Sequence, residues 1–155
     1  MRETMTMNMK QAISNVLELM FFLPIQFTKN ECPVSEWLIQ DQVYTGATLG
    51  FTGLVSGSYY LLIPAVMAKE ITANFLGLSE EEVNEAQESD TVKEALNMIG
   101  GHMLSLVDKP DGYQLGIPEI ISEAGFDMNA DTGKKENVIY IEAEGNHLAA
   151  GIILN

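Results

Sequence analysis

Cysteine is almost absent. The one thiol, Cys32, cannot form an internal disulfide or a cysteine-based metal cluster. It reads as a structural or bystander thiol in a reducing, cytoplasmic setting. Cationic side chains are also scarce: eight Lys and Arg stand against 22 Asp and Glu, a formal net charge of −14. A surface this acidic repels nucleic acid and anionic lipid, and disfavours a free polyphosphate that brings no metal. Apolar runs are short. Pro24 and Pro64 break the longest, and none approaches the roughly 20 residues that a membrane helix needs. The opening MRETMTMNMKQ has no apolar secretory core, and residues 1–8 read as a frayed lead-in to a helix. Two histidines, His102 and His147, lie far apart without ligand spacing, and each reads as an ordinary surface or boundary residue. There is no GxxxxGK[ST], no GxGxxG, and no Ser or Cys nucleophile with a spaced base. A protein partner, or a substrate carried on one, is what remains.

Hydrophobic residues make up 46% of the 155, enough for the core of one domain, read as residues 1–155. Residues 9–23 read as an amphipathic helix, with Met9, Ala12, Ile13, Val16, Met20 and Leu23 inward and Ser14, Glu18 and Phe21 outward. A strand is plausible at 37–39 or 42–45. Residues 47–55 and 58–63 read as a hairpin about Ser56-Gly57. Pro64 opens a helix in which Met67, Ile71 and Phe75 recur, widened by Ala68 and Leu76 and capped by Gly77. Ser79 and Glu82 form a capping box for a short acidic helix. After a turn at 109–112 come extended pieces at 113–117 and 119–122, a polar loop over 124–137, and a terminal hairpin, 138–144 with 148–154, turning at Gly145-Asn146. This order predicts an α+β domain with long helices packed on one face of an antiparallel sheet.

The most informative stretch is DTVKEALNMIGG, residues 90–101. As a helix begun by Ser89 or Asp90, it puts Val92, Leu96, Ile99 and Met103 on one apolar face, and Glu94, Asn97 and Gly101 on roughly the opposite one. Mid-helix Asn competes with the backbone for hydrogen bonds, and Gly100 and Gly101 each weaken a helix by about 1 kcal/mol. These costs, and the room that glycine leaves for another backbone, set the pair apart from a solvated Glu and Asn. SNVLELMF, residues 14–21, aligns with DTVKEALN as a short internal repeat, with Phe21 where Asn97 stands.

Asp90-x-x-x-Glu94-x-x-Asn97-x-x-x-Gly101, the block from Gly50 to Leu78, Leu115-Gly116-Ile117-Pro118 and the terminal hairpin together resemble the CheC/CheX/FliY phosphatases of bacterial chemotaxis, the CheX-like branch in particular. The resemblance runs from about residue 9 to 155. It implies the pseudo-symmetric fold of that family, and a hydrolase that removes the phosphoryl group from the aspartyl phosphate of a CheY-like response regulator. Glu94 would pair with the regulator's lysine, and Asn97 would orient the attacking water. Asp90 and Gly101 would contact the partner, and Mg²⁺ would belong to the regulator, so that no metal or cofactor of the chain's own is expected. A homodimer is also implied. Because Phe21 replaces an amide, one site is expected, with Glu18 left as scaffold or partner contact. The Glu94-Ala95-Leu96 string does not mark a cyclic-dinucleotide phosphodiesterase, which needs a larger barrel. The alternatives are a non-catalytic adaptor of the same fold, binding a regulator or flagellar switch component, and a small-molecule binder using the Met-rich interior.

Overall fold

The computed structural model describes residues 2–29, 32–107, 112–121 and 135–155. The chain begins with helix α1 (Arg2–Ser14), which continues as a π-turn over Asn15–Met20. Next come β1 (Gln26–Thr28), α2 (Val34–Trp37), β2 (Tyr44–Thr52), β3 (Gly57–Pro64) and α3 (Ala65–Leu76). A 3₁₀ turn over Glu80–Glu82 leads into α4 (Glu85–Ser105), and β4 (Gln114–Leu115), β5 (Glu119–Ile120), β6 (Lys135–Ala143) and β7 (Asn146–Leu154) complete the order. Among the described residues the strands form one antiparallel sheet in the order β1-β6-β7-β3-β2-β4, with β5 also paired to β2. The α+β expectation holds. The expected turn at 109–112 lies almost entirely outside the described residues, as does most of the expected loop, whose residues 135–137 open β6.

Alternation along the strands sorts the core into two layers. Leu49, Leu61, Ile63, Ile141, Leu148 and Ile152 point to one face and are buried under α1, α3 and α4. Tyr60, Leu62 and Ala149 point to the other, where α2 brings Val34 and Trp37 over them. The indole N–H of Trp37 donates to the Leu148 carbonyl at 2.7 Å, and its ring stacks on His147 with centroids 3.9 Å apart. His147 is thus a packing residue. The strand considered at 37–39 does not form. Pro33, at φ −60°, opens a helical turn instead, and the Trp37 N–H closes it onto the Pro33 carbonyl.

Two further boundaries move. The helix begins at Arg2 rather than at residue 9, and Met5 already packs against the core. Its end also departs from 3.6 periodicity. The Phe21 N–H bonds back five residues to Val16, and the Leu23 N–H six residues to Leu17. This wider turn rotates the buried stripe by one position. Leu17 and Phe21 go inward, completely buried, while Met20 turns out. The outward placement expected for Phe21 is therefore incorrect.

The capping box at Ser79 and Glu82 is present, but it closes only the 3₁₀ turn. Its two hydrogen bonds from Ser79, the backbone N–H first, hold the Glu82 carboxyl below its ordinary value. The central helix starts earlier than Ser89 or Asp90. Asn84 Oδ1 accepts from the Gln87 N–H at 2.8 Å, and Gln87 returns a bond to the Asn84 N–H at 3.0 Å. That reciprocal pair satisfies donors at the start of α4, so the helix need not wait for Asp90.

Candidate functional site

Helix α4 runs unbroken through both glycines to Ser105. Burial explains why. Val92, Leu96 and Ile99 have no exposed surface and Met103 almost none. Each such side chain contributes roughly 1.5–3 kcal/mol, against about 1 kcal/mol lost per glycine. Gly100 lies on the inward side, where an added Cβ would stand 2.6 Å from Leu49 Cδ2. Gly101 lies on the outward side, where an added Cβ would meet nothing within 4 Å.

The opposite stripe carries the expected residues. Glu94 and Asp90 are exposed, Asn97 is half-buried, and Gly101 is exposed. Glu94 and Asn97, three residues apart, are displaced by about 4.5 Å along the axis on neighbouring turns. Among the described residues no hydrogen bond or ion pair engages either side chain, so the carboxylate and the carboxamide are both free to bind a partner. Asp90 is 3.5 Å from Lys93 Nζ, a surface pair one turn before Glu94.

Glu94 and Asp90 border a groove of about 420 Å³ that also takes in Phe75, Leu76, Gln87 and Thr91. Helical spacing gives no sign of this groove. It places Phe75 and Leu76 on the core stripe of α3, yet they are 42% and 44% exposed. The available signal is their position directly before Gly77, whose left-handed cap at φ 69° ends the helix where the core ends.

Glu18, the counterpart of Glu94 in the internal repeat, accepts a hydrogen bond from the Ser14 hydroxyl on its own helix. Asn15, at the start of the π-turn, places its amide nitrogen 3.1 Å from His102 Nε2, tying that turn to α4. His102 is thereby a contact between helices. An apolar pocket of about 230 Å³ lies beyond, lined by Met5, Phe51, Tyr59, Met103 and Tyr113 among others. Burial, with the nearby Tyr113 adding to it, pushes the Tyr59 phenol up to about 12. This pocket is small, open and at the far end of α4 from Glu94, which gives little support to a small-molecule binder. Among the described residues no group of three or more His, Cys, Asp or Glu could hold a metal ion, and no helix is long and apolar enough to cross a membrane.

Comparison with known proteins bears on the fold and the family. The fold is shared with the chemotaxis protein CheX from Vibrio vulnificus, at 19% identity over 97% of this chain and 96% of that one, with a TM-score of 0.77. A chemotactic CheC-like protein from Shewanella oneidensis matches over the full length of both chains at 18% identity and a TM-score of 0.76. A third solved structure, the CheX-CheY-BeF3-Mg complex from Borrelia burgdorferi, matches at 14% identity, 97% of each chain and a TM-score of 0.70. No curated protein matches the sequence. The family model described as "Chemotaxis phosphatase CheX" matches residues 45–142, which include the whole of α4 and its outward Glu94, Asn97 and Gly101. The chain belongs to the CheX family.

Proposed function

We propose that the chain hydrolyses the aspartyl phosphate of a CheY-like response regulator, with Asn97 orienting the water and Glu94 gripping the regulator's lysine. The supporting observation is the pair itself: an unengaged carboxamide and an unengaged carboxylate on adjacent turns of a helix whose other face is fully buried. An acyl phosphate is already reactive, so its hydrolysis needs positioning and charge stabilisation more than a strong base. The Asn97 amide can accept from the water through its oxygen and donate to the phosphoryl group through its nitrogen. Water attacks phosphorus, the bond to the aspartyl oxygen breaks, and carboxylate, inorganic phosphate and a proton are released. Mg²⁺ would be held by the regulator, and this chain would contribute no metal ligand. Glu94, at an ordinary exposed position, would act by charge and registry rather than by proton transfer. The resemblance to CheX-like proteins also leads us to expect a homodimer.

The test is phosphate release from a phosphorylated CheY-like regulator. Asn97→Ala should lower kcat by about 100-fold or more while leaving regulator affinity within a few-fold. Glu94→Ala should raise KM and lower kcat/KM together. Equal rates for native chain and Asn97→Ala would refute the assignment. Regulator binding without hydrolysis by the native chain would make the protein an adaptor.

A further inference from the structure

The apolar surface beside the pair has no role in the chemistry just described, and it is held in place at some cost. Two residues past the π-turn Phe22 stands at φ 56°, a left-handed conformation that bulky residues rarely adopt, and it is 68% exposed. Phe21 behind it is fixed twice. Its carbonyl accepts from the Asn74 side-chain amide at 3.0 Å, and its ring meets that of Phe75 at 4.9 Å between centroids. Phe22 is thereby carried to the end of α3, where Phe75 and Leu76 overshoot the core into water. These two line the groove with Asp90 and Glu94. Phe75, Leu76 and the acidic pair thus share one groove between α3 and α4, and Phe22 follows directly on the Phe21 carbonyl that Asn74 of α3 holds.

We infer that Phe22, Phe75 and Leu76 form the apolar half of the surface on which the regulator's receiver domain docks, and set which regulator is accepted. This rests on the proposed function above. Charge complementarity identifies the occupant. The ionisable groups that line the groove, Asp90 and Glu94, are both acidic, and the nearby cation Lys93 is paired with Asp90. The fitting partner presents a cation on apolar ground, as a receiver face offering its lysine among aliphatic side chains would. A second copy of this chain fits poorly. A two-fold contact sets the same patch against itself, and here would bring carboxylates against carboxylates between chains that each carry −14.

The experiment measures binding of the organism's CheY-like receiver domains, loaded with beryllofluoride and Mg²⁺, to the native chain, Phe22→Asn and Leu76→Ser. Phe75 is spared because it supports Phe21. Asn tolerates positive φ, so Phe22→Asn should fold at least as well as the native chain. Each variant should weaken Kd by about tenfold, while kcat at saturating regulator stays within about twofold. Native affinity in both variants, or lost kcat at unchanged Kd, overturns the docking surface while leaving the phosphatase reading standing. A native chain that neither binds nor dephosphorylates any of these regulators overturns both. Sedimentation of each protein supplies a further outcome. A native dimer that both variants convert to monomer makes the patch a self-interface and overturns the inference.

Discussion

Glu70 on α3 faces Glu144, which sits in the tight β6–β7 turn at φ 50°, and the Glu80 carboxylate adds a third negative charge. Burial, then the hydrogen bond with Glu144, then the repulsion from Glu144 and Glu80 push the Glu70 carboxyl up to about 7 from 4.5. In the folded protein it keeps a proton that the unfolded chain releases. The contribution to stability is therefore complete below about pH 4.5 and is lost as pH rises through about 7. Taken in full, a shift of that size corresponds to about 3 kcal/mol. The carboxyl is only partly withdrawn from water, so solvent screening reduces this to about 1 kcal/mol. Glu70→Gln removes the charge and retains a donor toward Glu144. Urea unfolding at pH 5, 6, 7 and 8 should give nearly equal stabilities for variant and native chain at pH 5. At pH 8 the variant should lead by about 1 kcal/mol, or some 2–4 °C in Tm for a chain of this size. Groups that do not touch Glu70 contribute equally to both proteins and cancel in the difference. A difference that does not grow with pH, or a variant less stable at pH 8, would refute the shared proton.

The two glycines of α4 should separate packing from docking. Gly100→Ala drives a Cβ to 2.6 Å from Leu49 Cδ2, and overpacking of about 1–3 kcal/mol should outweigh the gain in helix propensity, which a thermal melt would record as a lower Tm. Gly101→Ala meets open space and should raise stability by about 0.5–1 kcal/mol, yet weaken regulator binding in a titration if a partner backbone passes close to it. Asn84→Ala deletes the reciprocal cap with Gln87 and should cost about 1 kcal/mol in urea unfolding, without altering phosphatase kcat, since the first turn of α4 lies far from Asn97.

Local chemistry made much of this fold readable. Val92, Leu96, Ile99 and Met103 follow helical spacing, and burial obeys it; Gly77 adopts the left-handed cap that its position at a helix end suggests. Glu94 and Asn97 face outward for the same reason, since residues opposite a buried stripe have nowhere else to point. The π-turn was not readable in this way. No residue in NVLELM demands it, and only the tertiary fit of Leu17 and Phe21, with the Asn74 side-chain amide donating to the Phe21 carbonyl, favours the wider turn. Val34–Trp37 hides its helix because four residues carry too little periodicity to show one, and the pull of Leu148 on the indole acts across the fold. The groove at Phe75 and Leu76 was hidden for another reason. Periodicity tells which way an apolar side chain points, but not where the core beneath it stops.

The half-burial of Asn97 beside the exposure of Glu94 fits the division of labour proposed for them. A water held in line for attack must be placed to within a fraction of an ångström, and a group that places it gains by having few rotamers to lose. Asn97 has a short side chain, partly enclosed, on a rod of 21 residues fixed by its buried face. Glu94 has one more rotatable bond and stands exposed at the border of a groove, which would suit an acid that finds a lysine on an approaching surface rather than holding a fixed point. An apolar border at Phe22 and Leu76 would then supply the contact area that a single exposed ion pair, worth about 1 kcal/mol or less, cannot. On the proposed mechanism the acid would set register, the apolar rim would supply affinity, and the amide would have to be in place before the regulator arrives.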